Sequence, residues 1–199
     1  MIEINGAIGD TGEDGLTYEA FAEVLSQNSG DIEIMLNSGG GVVNDGIRIY
    51  NALMEHDGKV TIYVNGIAAS IASVIAMAAD TLVMYNNAQL MIHKAWTVAM
   101  GNSDDFRQIG EVLDQLDGNI ADVYAERTGL QRNEILAMMG DETYMSAEKA
   151  VELGFADEVK VMKKDRQSAK NETEPGAFPG MSWAAALAKA SVVRNLQRK

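Results

Sequence analysis

Apolar residues recur along this chain with two periods, and stretches of the two periods alternate. Ile2, Ile4, Ala7 and Ile8 alternate with polar or small residues, the pattern of a short strand. Over 17–27, Phe21, Val24 and Leu25 share one helical face, and Gly30 follows as a stop. Ile32 to Leu36 reads as a strand that Ser38-Gly39-Gly40-Gly41 breaks, and 42–54 reads as a helix ending before Gly58. Residues 60–64 are the next strand, Gly66 the next break, and 70–79 a small apolar helix. Residues 81–85 and 89–92 are two short strands around Asn86-Asn87.

The longest helical pattern covers 103–127. Phe106, Ile109, Val112, Leu113, Leu116, Ile120 and Val123 recur there at three- and four-residue steps, and Gly129 closes it. Residues 146–153 form a helix with Ser146 as N-cap and Gly154 as stop, and 155–161 returns as a strand. Strand, glycine turn, helix, strand predicts an α/β domain with a largely parallel sheet.

Composition narrows the class. The chain has 199 residues, 47% of them hydrophobic, enough for one domain with a buried core. It has no apolar run of about 18 residues and no secretory start, which points away from a membrane and towards the cytoplasm. Cysteine is absent, which excludes disulfides, thiolate metal sites and a cysteine nucleophile. No cofactor or metal site is expected.

The net charge of −13 is unevenly placed. Residues 163–199 carry eight basic groups against three acids, so 1–162 holds −18. A body that acidic repels phosphate, so nucleic acid is not an expected partner. Both prolines, Pro175 and Pro179, lie in the basic tail. The expected organisation is a domain over 1–162, a linker over 163–180 and a basic segment over 181–199.

Four places carry candidate chemistry. Asn37-Ser38-Gly39-Gly40-Gly41 lies between a strand and a helix, either as a tight turn or as a site of close approach. It lacks the lysine of a phosphate loop and the third glycine of a dinucleotide fingerprint. Ser70, after Gly66-Ile67-Ala68-Ala69, is either a helix cap or an exposed nucleophile beside helix N-terminal amides. His93 ends the apolar run Leu90-Met91-Ile92, either as a structural histidine or as a base, whereas His56 sits at a polar helix exit. Asp141 and Glu142 are adjacent acids before Ser146, either a solvated turn or a source of the third group. Together they supply nucleophile, base, acid and glycine turn, the parts that acyl transfer requires.

The same residues resemble the Clp protease proteolytic subunit (ClpP) family. Asn37-Ser38-Gly39-Gly40-Gly41-Val42-Val43 resembles its N-S-P-G-G-x-V turn, and Gly66-Ile67-Ala68-Ala69-Ser70 resembles its G-x-A-A-S motif. Met91-Ile92-His93 resembles its M-I-H motif, and Tyr144 to Ala150 its F-[LM]-S-A-x-E-A segment. The likeness covers about 2–160. Segments 74–78, 96–102 and 154–159 look most like the ClpP-like proteases of phages and prophages that mature the prohead.

The resemblance implies a spiral of ββα units, shared with crotonases, carrying a long handle helix over 103–127. It implies Ser70 as nucleophile, His93 as base, and the backbone amides of Gly41 and Ile71 as oxyanion donors. The family's catalytic Asp falls on Glu142, with Asp141 beside it as the alternative acid. Gly40 and Val42 would line the substrate cleft. The family's turn proline is Gly39 here, which should loosen the turn. The implied activity is a serine endopeptidase in a ring-type homo-oligomer, assembled through the handle helix. Its polypeptide substrate would include capsid or scaffold protein, in the host bacterial cytoplasm. The chain starts almost on its first strand, so a peptidase working without an ATPase is expected. Other expectations are a Ser–Lys peptidase like signal peptide peptidase A, using Lys94 or Lys59, a crotonase-type acyl-CoA enzyme, and a catalytically latent structural oligomer.

Overall fold

The computed structural model describes residues 1–9 and 15–162; the expected linker and tail lie outside the described residues. In chain order its elements begin with β1 (Ile2–Asn5), α1 (Tyr18–Ser26), β2 (Ile32–Ser38), α2 (Val43–Met54), β3 (Val60–Ala69), α3 (Ile71–Ala76), β4 (Thr81–Tyr85) and β5 (Gln89–Ile92). They end with α4 (Ser103–Thr128), α5 (Arg132–Gly140), β6 (Thr143–Ser146), α6 (Ala147–Glu152) and β7 (Glu158–Lys160). Met1–Met162 forms one compact unit.

Five strands lie side by side in the order β1-β2-β3-β4-β7, all parallel. The alternation read from the sequence sets their inward faces. Ile2 and Ile4, then Ile32, Ile34 and Leu36, then Val60, Ile62 and Val64 are all buried. They share one core with Phe21 of α1, Ile49 and Leu53 of α2 and Ile75 of α3. Each such side chain contributes about 1.5–3 kcal/mol relative to exposure.

Three sequence expectations change. Gly66 does not end a strand: β3 runs ten residues, through Gly66 to Ala69. What changes at Gly66 is the partner. Residues 61–64 pair with β4, whereas 67–69 pair with β5, and the register against β2 shifts between Leu36 and Ser38. A side chain at Gly66 would stand 2.3 Å from Asn37 Oδ1, which accepts the Ile67 N–H at 3.2 Å. The glycine therefore marks a bulge that redirects the strand.

Second, β4 and β5 do not pair with each other across Asn86-Asn87; β5 joins β3 and β6 instead. Third, the turn expected at Asp141 and Glu142 is flanked by elements over 132–146 that the pattern did not predict. These are α5 and then β6, which is antiparallel to β5. Ile135 and Met139 of α5 and Met145 of β6 are buried.

The long helix has the expected extent. Asn102 and Asp105 form a capping box at its start, and Gly129 closes it at φ 73°. Its burial is lopsided: Asp117, Gly118, Ile120, Ala121 and Tyr124 are buried, all in the second half. Phe106 and Val112, on the predicted apolar stripe, are each 52% exposed.

Candidate active site

Sheet register brings the site together. Ala69 of β3 pairs with Met91 of β5, and the Ser70 N–H continues the ladder by donating to the Met91 carbonyl at 3.0 Å. The residues just past both strand ends, Ser70 and His93, therefore lie side by side. Ser70 Oγ is 2.7 Å from His93 Nε2. In the tautomer with Nε2 unprotonated, the hydroxyl donates to it, the arrangement of a nucleophile with its base.

Ser70 is not a helix cap, since its side chain makes no capping hydrogen bond and its backbone sits at φ 56°, ψ −132°. That left-handed conformation is costly for a residue with a Cβ. It turns the hydroxyl out of the sheet at a sharp strand-to-helix corner, as nucleophile elbows do. Among the described non-glycine residues, Glu142, at φ 51°, alone shares a positive φ with Ser70.

The glycine turn faces this corner. Gly40 stands at φ 95°, and a Cβ there would lie 2.6 Å from Ser70 Cβ. The turn is pinned by Ser38, whose hydroxyl donates to the Gly6 carbonyl at 2.6 Å and accepts from the Gly40 N–H at 3.1 Å. Ile8 takes the groups on either side of Gly41: its N–H donates to the Gly40 carbonyl and its carbonyl accepts from the Val42 N–H, both at 2.9 Å. Among the described residues, neither the Gly41 N–H nor the Ile71 N–H has a protein acceptor. Two free amides thus flank Ser70. Helix α3 has only six residues, so the donor there is the Ile71 N–H itself more than a macrodipole.

A cleft of about 680 Å³ opens over these groups, and its walls include Gly40, Val42, Met91, Trp96 and Val98. Gly40 and Val42 line it, and their backbone groups are already paired, with Ser38, Ile8 and, at the Val42 carbonyl, the Gly46 N–H. Asp117 of α4 accepts the Ala95 N–H at 2.7 Å and holds the start of the opposite wall.

Antiparallel pairing of β5 with β6 ends at Ile92 and Thr143; beyond it the Lys94 N–H donates to the Met139 carbonyl at 3.2 Å, and Glu142, the residue before β6, sits at φ 51°. Glu142 Oε1 accepts from Tyr144 Oη at 3.2 Å, and this hydrogen bond raises the Tyr144 phenol above its ordinary pKa. Among the described residues, no carboxylate is hydrogen-bonded to His93. His56 lies apart from the site; its Nε2 donates to the Gly30 carbonyl at 2.7 Å. Among the described residues neither lysine alternative is hydrogen-bonded to Ser70, and Lys94 Cε lies beside Gly140. Lys59 precedes β3 and Ser70 follows it, so strand rise puts them on the order of 30 Å apart. No cluster of three potential metal ligands occurs among the described residues, and no described helix is long and apolar enough to cross a membrane.

Sequence reasoning missed Asp117, Ser73 and Tyr124. Asp117 is 4% exposed on the apolar side of α4, and Ser73 is the single polar residue in Ile71–Ala76. A lone polar residue on an otherwise apolar face was the available signal for both. Tyr124, one residue beyond Val123, carried no such signal.

Comparisons with known proteins give the family and the fold. A family model described as Clp protease matches residues 3–163. The ATP-dependent Clp protease proteolytic subunit of Deinococcus radiodurans is 31% identical over 159 residues, covering 76% of this chain and 78% of that protein. A solved ClpP1 point mutant from Listeria monocytogenes superposes with TM-score 0.68 at 20% identity, covering 81% of this chain and 91% of that one. The structural likeness carries the fold.

Proposed function

Since this chain belongs to the Clp protease family and is a serine peptidase, we propose that it is an endopeptidase working through Ser70, His93 and Glu142. The observation that carries this reading is the 2.7 Å approach of Ser70 Oγ to His93 Nε2 at a strained corner flanked by two free amides. His93 takes the Ser70 proton as the hydroxyl attacks the scissile carbonyl. The Gly41 and Ile71 amides hold the oxyanion, each worth about 3 kcal/mol in the transition state. His93 then protonates the leaving amine, and water repeats the sequence on the acyl-enzyme. Glu142, one residue before the Thr143 that pairs with Ile92, fixes the imidazole tautomer by exchanging its exposed contact with Tyr144 for the ring. Asp141 is the alternative acid.

The substrate is polypeptide, and the resemblance of 74–78, 96–102 and 154–159 to phage head-maturation proteases favours capsid or scaffold protein cleaved without an ATPase. The assembly is a ring-type homo-oligomer, supported by the apolar residues that α4 and its approach leave uncovered: Trp96, Val98, Met100, Phe106 and Val112.

A fluorophosphonate probe should label the parent at Ser70, and Ser70→Ala should lose labelling and peptide cleavage together. Labelling that persists in Ser70→Ala overturns the nucleophile assignment. Cleavage of a head protein by the isolated peptidase without ATP tests the finer reading; cleavage that requires an added ATPase overturns it.

A further inference from the structure

Behind the nucleophile lies a buried polar chain that the acyl-transfer mechanism does not use. Ser73 is 0% exposed and Tyr124 is 1% exposed. Ser73 Oγ lies 2.6 Å from the Ser70 carbonyl oxygen and 2.7 Å from Tyr124 Oη. Proton counting fixes the direction of this chain. A carbonyl only accepts, so the Ser73 hydroxyl donates to it. Ser73 has then spent its one proton, so the Tyr124 hydroxyl donates to Ser73. The Ser73 backbone N–H donates to the same carbonyl at 2.9 Å.

That carbonyl belongs to the peptide joining Ser70 to Ile71. Its other end is the Ile71 N–H, one of the two free amides beside the nucleophile. A peptide unit is planar, so fixing where its C=O points also fixes where its N–H points. Two donors on the oxygen polarise the unit and make its N–H a stronger donor, most of all where water is excluded. Neither effect is needed merely to build α3, because the backbone donor alone satisfies the carbonyl.

We propose that Tyr124 and Ser73 are positioning residues that run from the long helix α4 to the Ser70–Ile71 peptide and aim the Ile71 N–H at the oxyanion. The strength of the oxyanion site is then set by how α4 packs, on the same helix whose first half is left uncovered. Burial pushes the Tyr124 phenol far above its ordinary pKa of 10.0, which keeps it a donor at every pH at which the enzyme works. This inference rests on the reading of Ser70 as nucleophile and Ile71 as oxyanion donor.

The test uses the full chain with Ser73→Ala, Tyr124→Phe and the double variant. Each is measured for kcat and KM on a fluorogenic peptide. Each is also measured for inhibition by a peptide boronate, whose tetrahedral adduct places an oxygen at the oxyanion position. Ser73→Ala should lower kcat about tenfold and Tyr124→Phe about threefold, with KM within about twofold. Boronate affinity should fall in the same ratios. Because the groups act in series, the double variant should be no slower than Ser73→Ala.

A folded Ser73→Ala with parental kcat and boronate affinity, or single effects that simply multiply in the double variant, overturns the proposal. Tyr124→Phe removes one oxygen and no carbon, so it carries the test should Ser73→Ala fail to fold. Parental kcat and boronate affinity in Tyr124→Phe would then overturn the relay. A parent that fluorophosphonate does not label refutes the nucleophile reading and this inference with it. A labelled parent with unaffected variants refutes the relay alone.

Discussion

Gly40→Ala is the sharpest test of how the glycine turn and the nucleophile fit together. The added methyl would stand 2.6 Å from Ser70 Cβ, 2.8 Å from the Ala69 carbonyl and 3.1 Å from Ser70 Oγ. Two of these three neighbours are not free to swing away. One is backbone of β3, and the other is the Cβ of a residue already held at φ 56°. Restoring ordinary contact requires a displacement of roughly 0.8 Å, shared between the turn and Ser70. Gly40 itself sits at φ 95°, which adds about 1–2 kcal/mol of strain for any residue with a Cβ.

A shift of nearly 1 Å at a reacting group costs on the order of a hundredfold in rate. The expected result is a fluorophosphonate labelling rate about a hundredfold below the parent, with a melting temperature several degrees lower. Gly39→Ala is the matched control. Its Cβ would meet nothing within 4 Å, and it should label at the parental rate. Labelling of Gly40→Ala within threefold of the parent, in a protein that melts normally, would refute the packing argument.

Three further outcomes follow. Glu142→Gln should lower kcat by about three to four orders of magnitude, because an amide leaves the imidazolium without its counter-charge, whereas Asp141→Asn should stay within tenfold; the reverse ranking, read by peptide hydrolysis, assigns the acid to Asp141. A chain ending at Met162 should fold and label at Ser70 as the full chain does, because Met1–Met162 is one compact unit; loss of either property would disprove the boundary. Burial of Tyr124 raises its folded-state pKa, so the unfolded chain loses this proton first, near its ordinary 10.0, and stability falls as pH rises beyond that. Tyr124→Phe should therefore lose part of the alkaline decline seen by urea denaturation above pH 10, and an unchanged slope would refute the buried neutral phenol.

Local pattern was enough to place most elements and two of the site's side chains. Alternating Ile and Val with glycine breaks predicted a parallel α/β sheet because strand burial has period two wherever it occurs. Ser70 and His93 were legible because one starts an apolar helix and the other ends an apolar strand, each within a recognisable motif. The tertiary structure decided what depends on contacts between distant segments. Gly66 looks like a break in isolation, and only β5 arriving beside 67–69 turns it into a bulge within a strand that continues to the nucleophile. The strand β6 was invisible because Thr143, Tyr144 and Ser146 carry no apolar alternation, and its identity comes from pairing with β5. That pairing, rather than residue type, brings the acids that precede β6 to the end of β5 that carries His93. Tyr124 and Ser73 are separated by 51 positions, and no local rule links them. The sequence alone thus determined which residues could do chemistry, because residue type and element ends are local properties. Three-dimensional packing decided which of them meet, because register and helix docking are set by burial summed over the whole sheet.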